Sequence, residues 1–228
     1  MVKPRVIETD EGIQGEFEVE TYNQMQRRFR DKGWMETDAI IKSGINSGHV
    51  LEVGPGPGYL GLEWLKKTEG TKLTGLDISP DMIAIANRNA GEYGLTDRVE
   101  YVKSSGEKMP FEDNNFNAVF TNGSFHEWAQ PEKTLQEIWR VLKPGGNLFI
   151  SDLRRDMGPF IKGFMWLATR PKKIRPGLLT SIAAAYTPPE LDQLMSRTPF
   201  REPTIRSNMM GIEIRAVKPE KYEDKSRL

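Results

Sequence analysis

The stretch LEVGPGPGYLG, residues 51–61, decides the fold. Leu51 and Val53 are strand residues, and Gly54, Gly56 and Gly58 leave no Cβ between the loop backbone and a ligand. From Tyr59 the run YLGLEWLKK takes up helical spacing, with Leu60, Trp64 and Leu65 for its apolar face. A strand that becomes a helix through glycines aims free N–H groups and the positive end of a helix dipole at whatever binds there. The turn therefore predicts a small ligand carrying a carboxylate or phosphate. Pro55 and Pro57 stiffen it, which lowers the entropy lost on binding.

Gly56-x-Gly58-x-x-Gly61 satisfies the GxGxxG pattern, and Asp77 follows roughly 20 residues on, as that pattern asks. The segment KLTGLD (72–77) reads as a second strand ending in Asp77, whose carboxylate can accept bonds from both hydroxyls of a ribose. Ser79 and Pro80 then open a helix, the hydroxyl as N-cap and the proline in the first position. Met82, Ile83, Ile85, Ala86 and Ala90 supply its buried side.

At this point the chain resembles a class I S-adenosylmethionine-dependent methyltransferase over roughly residues 35–155. Glu52-x-Gly54-x-Gly56-x-Gly58 is similar to that family's first motif, and Asp77 to its acidic residue after the second strand. SGEKMPFEDNNFNAVF (105–120) resembles the segment leading into the fourth strand. LQEIWRVLKPGGNLFISD (135–152) resembles the helix, turn and fifth strand of the small-molecule branch, including the ubiquinone/menaquinone-biosynthesis type. LKPGG separates this family from dehydrogenases. The resemblance implies an α/β fold with a Rossmann-like, seven-stranded, mostly parallel sheet, its last strand antiparallel and helices on both faces.

Composition agrees with such an enzyme. A chain of 228 residues suits one α/β domain with a small cap. Basic and acidic residues balance at 32 each, so broad electrostatic capture of nucleic acid is not expected. The absence of cysteine removes disulfides, thiolate metal sites and cysteine nucleophiles together. With His49 and His126 the only histidines, no metal site is expected. The start MVKPRVIETDEG does not read as a signal peptide, and no apolar run reaches the ~20 residues of a membrane span. The expectation is a cytoplasmic protein.

Residues 1–43 read as an N-terminal cap, polar and poorly packed over 1–16 and helical from Phe17. Residues 44–156 read as the core, with strands near 49–53, 72–77, 98–102, 116–121 and 147–152 and helices near 59–68, 80–91 and 131–142. Pro144-Gly145-Gly146 is expected to turn the last of these helices into the fifth strand. Residues 157–187 interrupt the pattern with apolar runs around the basic RPKKIRP, and are expected to cover the mouth of the cleft. Residues 188–217 complete the core with a helix capped by Thr187 and strands near 203–207 and 211–217, and 218–228 read as a frayed tail.

The resemblance implies S-adenosyl-L-methionine as cofactor and assigns its contacts. Backbone groups at Gly54, Pro55, Gly56 and Gly58 suit the methionine end, and Glu52 its ammonium. Asp77 holds the ribose and Ile78 packs on the adenine. Ser105 stands where relatives often carry an acid for the adenine amine, with Gly106 and Glu107 beside it, so the hydroxyl or Glu107 reads that edge. Asn122 and Gly123 lie beside the methionine moiety, and Tyr22 belongs to the cofactor or acceptor wall.

His126 is the candidate base, oriented by Glu127, or else it fixes its loop; Trp128 reads as packing. Trp34, Arg154, Phe160, Phe164, Trp166 and Tyr186 are further candidates for the acceptor side, where a partly apolar or aromatic small molecule is expected. The reaction implied is direct displacement onto an O, N, S or C nucleophile, which needs placement in a dry pocket more than acid–base help. A nicotinamide-dependent oxidoreductase and a non-catalytic cofactor-binding partner protein are the alternatives.

Overall fold

Alternation of short β-branched runs with amphipathic helices leads to one parallel sheet covered on both faces. The computed structural model of the protein describes residues 3–6 and 12–220. Two helices come first, α1 (Glu16–Asp31) and α2 (Thr37–Lys42), followed by β1 (His49–Val53), α3 (Tyr59–Lys67), β2 (Lys72–Asp77), α4 (Pro80–Tyr93) and β3 (Val99–Lys103). The second half runs β4 (Phe116–Asn122), a 3-10 turn at Phe125–Glu127, α5 (Pro131–Val141) and β5 (Leu142–Leu153). After it come α6 (Pro159–Ala168), a 3-10 turn at Lys172–Ile174, α7 (Arg175–Ala184), α8 (Pro188–Met195), β6 (Thr204–Ser207) and β7 (Gly211–Val217).

The seven strands lie in the order β3-β2-β1-β4-β5-β7-β6, and β7 alone runs against its neighbours. The expected fold class holds. Strand order reverses between β1 and β4, which opens a crevice at their C-terminal ends.

Period-2 alternation splits β1 between two cores. Leu51 and Val53 join Val119, Leu135, Ile138 and Ile150 on one face, while Val50 joins Leu60, Trp64, Leu73 and Phe120 on the other. Glu52 shares the second face with Val50, beneath α3. The helix termini carry the expected caps. Ser79 Oγ accepts the Met82 N–H at 3.2 Å, and Thr187 and Glu190 form a reciprocal capping box at α8.

Three expectations are corrected. Pro144-Gly145-Gly146 is not a turn before the fifth strand but a bulge inside β5. The register passes from Phe116↔Leu142 to Ala118↔Asn147, and the extra residues bond to Lys218 through the Gly145 N–H and the Gly146 carbonyl. Within the polar start, residues 3–6 are tied to the body of the fold. Arg5 donates to Ala184 O at 2.5 Å and to His126 O at 2.8 Å, and its guanidinium stacks 4.3 Å from the Tyr186 ring. The tail begins later than residue 218, because Lys218 Nζ donates to Asn114 Oδ1 and to the Trp139 and Leu142 carbonyls. Residues 221–228 of the expected tail lie outside the described residues.

Candidate active site

A cavity of about 240 Å³ opens at the C-terminal ends of β1, β2 and β4. Of the residues expected there, Tyr22, Gly54, Gly56, Asp77, Ile78, Ser105, Gly106, Glu107 and Gly123 line it. Glu52, Pro55, Gly58, Asn122 and His126 stand behind or beside the wall.

The glycine loop is fixed from below. Gly54 sits at φ 70° with its Cα against Ser124, and a Cβ there would stand 2.4 Å from Ser124 Oγ. That hydroxyl donates to Val53 O at 3.2 Å and receives the Trp128 indole N–H at 3.3 Å, so the loop after β4 holds the loop after β1. Asp77 closes the other side. Its Oδ2 accepts the Gly56 N–H at 3.0 Å and its Oδ1 the Ser79 N–H at 2.9 Å. Burial raises its pKa, against the lowering effect of these amide donors. A carboxylate has about four lone-pair sites, so acceptor capacity toward the cavity remains.

Glu52 is placed by alternation beneath the loop and not in the cavity wall. It is 2% exposed, its carboxyl accepts the Gly61 N–H, and Oε2 has no hydrogen-bond partner. Burial, helped by the charge of Asp77, pushes its pKa up to about 8. Gly61 makes room for it, since a Cβ at that position would stand 2.3 Å from both Glu52 Oε2 and Leu73 Cδ2.

Ser105 Oγ accepts the Glu107 N–H at 3.2 Å, and Glu107 Oε2 accepts the Gln130 side-chain amide at 2.8 Å across the cavity edge. Asn122 turns toward β5, donating to Ser151 Oγ at 2.6 Å. Tyr22 leans over the loop from α1, its ring 3.4 Å from where a Gly56 Cβ would lie. Burial and the neighbouring Glu127 charge hold its hydroxyl protonated far above the usual tyrosine range.

His126 is 4% exposed and belongs to a pair with Asp152, at the end of β5. Asp152 Oδ1 lies 2.8 Å from Nδ1, and its Oδ2 accepts the His126 backbone N–H at 2.8 Å. A carboxylate accepts only, so Nδ1 carries the proton and Nε2 presents its lone pair when the ring is neutral. Nε2 is 3.9 Å from Glu127 Oε1, and Glu127 lines the cavity. The orienting acid is thus Asp152, which sequence reasoning missed. The end of FISD in the strand beside β4 was the available signal.

Gly12 and Ile13 were also missed. They line the cavity opposite the strand ends, Gly12 lying over the Ile78 side chain while Ile13 O accepts the Ser79 hydroxyl at 2.7 Å. The acceptor-side candidates other than Tyr22 fall outside the lining. Trp34 packs on Phe29, Arg154 pairs with Asp156 at 2.7 Å, and Tyr186 packs on Phe125. Phe160, Phe164 and Trp166 lie on α6, none of whose residues is buried. The 157–187 segment reaches the site indirectly, through α7 and Tyr186 packing on the Phe125–Glu127 turn and through the Lys172–Ile174 turn packing on α1.

The wall carries three carboxylates, Asp77, Glu107 and Glu127, and no lysine or arginine among the described residues. Such a cavity favours positive charge on the ligand beside the anionic group that the glycine turn accepts. No cluster able to hold a metal occurs among the described residues.

Residues 51–150 match the family described as "Methyltransferase domain". The chain is 37% identical over 105 residues to the sterol 4-C-methyltransferase strm-1 of Caenorhabditis elegans, covering 46% of this chain and 31% of that protein. It is 37% identical over 101 residues to the demethylmenaquinone methyltransferase of Thermus thermophilus, covering 44% of this chain and 45% of that one. The match therefore spans less than half the length of these two relatives. Its fold is similar to that of a SAM-dependent methyltransferase from Aquifex aeolicus, with TM-score 0.65, 24% identity, and 84% and 92% of the two chains covered.

Proposed function

We propose that residues 51–150, which match the methyltransferase-domain family, form a class I S-adenosylmethionine-dependent methyltransferase core and that the protein methylates a small molecule. S-adenosylmethionine supplies an electrophilic methyl on a sulfonium. Direct displacement forms the acceptor–carbon bond, returns the C–S pair to sulfur and releases S-adenosylhomocysteine.

One observation carries the reading: the cavity wall holds three carboxylates and no lysine or arginine, which suits a ligand with a sulfonium and an ammonium. The Gly54 and Gly56 backbone would hold the methionine end and Asp77 the ribose. Ile78, with Gly12 and Ile13 opposite, would enclose the adenine, read at its edge by Ser105 or Glu107. Tyr22 stays neutral and excludes water from above. The two curated relatives are named for a sterol and for demethylmenaquinone, which supports an apolar acceptor. A proton lost by that acceptor has Glu127 as its receiver in the wall, with His126 positioned behind it by Asp152.

Calorimetric titration with S-adenosylmethionine, S-adenosylhomocysteine and NADH tests the cofactor. Saturable binding of both sulfur nucleotides without NADH is expected, and binding of NADH alone would overturn the reading. Asp77→Ala should weaken S-adenosylmethionine at least about tenfold, since a charge-assisted acceptor is lost. Once an acceptor is known, Asp152→Asn separates the roles of His126. A lower kcat with a displaced pH profile fits proton handling, whereas unchanged turnover leaves it a packing residue.

A further inference from the structure

The segment between β5 and α8 holds apolar side chains that the fold does not use. Phe160 is 91% exposed, Phe164 64% and Leu167 61%, and Leu179 of α7 is exposed beside them in sequence. Protein surfaces seldom leave so many large apolar groups together in water. The turn between β6 and β7 adds exposed Met209 and Met210. Arg154 ties that turn to the end of β5, donating to Asn208 O at 2.8 Å, close in the chain to where α6 begins. Both protrusions stand at the C-terminal ends of the central strands, the edge on which the cavity opens.

Charge decides what fits this face. Residues 157–189 hold five basic residues and no acidic one, in a chain that balances 32 against 32. Among the described residues none of the five pairs with a carboxylate. Lys162 donates to Arg155 O, Arg170 to Leu167 O and Arg175 to Leu167 O, while Lys173 Nζ lies 4.4 Å from the Phe17 ring. Arg175 also stacks 4.2 Å from the Trp166 ring, which joins α7 to α6. A second copy laid on this face would bring like charges together. A lipid surface with anionic headgroups meets the lysines, and its acyl boundary accepts the phenylalanines and leucines.

We infer that the α6–α7 segment docks the protein on an anionic membrane surface, with the cavity edge turned toward the bilayer. Delivery of an apolar acceptor from the lipid follows only if the proposed methyl transfer holds; docking itself requires neither cofactor nor acceptor.

Co-sedimentation with vesicles tests it, using phosphatidylglycerol mixed with phosphatidylcholine against phosphatidylcholine alone. Partition onto the anionic vesicles is expected, with release as salt is raised. Phe160→Ser/Phe164→Ser should lower that partition at least about tenfold, because two apolar anchors are lost. Lys172→Glu/Lys173→Glu should lower it independently. Both pairs are exposed, so circular dichroism and S-adenosylmethionine titration should match the parent protein. That control keeps a failure of docking distinct from a failure of cofactor binding. No partition onto anionic vesicles, or equal partition onto both kinds with no effect of the charge reversal, would overturn the inference. So would a dimer in sedimentation velocity that Phe160→Ser/Phe164→Ser dissolves, since a second copy would then be the occupant.

Discussion

Glu52 is held protonated at neutral pH because burial and the charge of Asp77 outweigh the single Gly61 N–H that replaces water. It lies against Gly61 and Leu73 with one oxygen unpartnered, and its pKa rises from 4.5 to about 8. The sign follows from proton counts. Between those two values the folded chain holds a proton that the unfolded chain has lost, so stability falls as pH rises through that window, by about 1.4 kcal/mol per pH unit at most. The contribution is complete below the lower value and gone above the higher. Asp77, also raised, acts in the same direction. Glu52→Gln keeps the shape without the titration, so its urea midpoints should vary less between about pH 5 and pH 8 than the parent's. Curves of equal slope would remove Glu52 from the account. The sequence placed this carboxylate in the motif but not its direction. Direction follows from the alternation of β1, which puts Val50 and Glu52 under α3 while Leu51 and Val53 face α5. A carboxyl pointing into a core is a costly choice, which is why an outward reading looked natural.

The first turn of α3 depends on that same carboxyl. Alanine is the better helix former, by roughly 0.5–1 kcal/mol over glycine. Its Cβ at position 61 would nevertheless stand 2.3 Å from Glu52 Oε2 and Leu73 Cδ2, and overpacking of that kind costs about 1–3 kcal/mol. Gly61→Ala should therefore destabilise on balance, read by denaturant unfolding; a stabilised variant would mean the contact relaxes freely. Elements with local signals were legible. Ser79 before Pro80 marked the start of α4, and alternation marked the strands. Elements whose form depends on distant partners were not. Pro144, Gly145 and Gly146 suit a turn or a bulge equally, and Lys218, which bonds the bulge, lies over seventy residues away in the chain. Apolar runs in 157–187 predict a cover for the mouth of the cleft, yet no residue of α6 is buried and its apolar side chains fall outside the cavity lining.

The chain closes on itself at its beginning. Arg5 reaches Ala184 O and His126 O, Arg155 Nε donates to Lys3 O at 2.9 Å, and Gly15 N–H donates to Asp81 Oδ2 at 3.0 Å. These contacts join the first residues to α7, to the turn after β4 and to α4, and set Ile13 in the cavity wall. Sequence alone hid them because the acceptors are mainly main-chain carbonyls, which no composition records. Removing residues 1–14 should leave the sheet folded, since among the described residues none of them pairs with its strands, and weaken S-adenosylmethionine about tenfold through the lost wall. Unchanged affinity would show that the wall is dispensable.

Gly61 and Glu52 finally set an order on any route by which this core changes. A side chain at 61 needs both a shortened residue at 52 and a displaced Leu73 side chain, whereas shortening 52 first leaves a void that the later step partly fills. The two changes are each harmful or merely costly alone and compensating together. Mutational paths through the pair are therefore directional, and a library that randomises 61 with Glu52 fixed should return glycine.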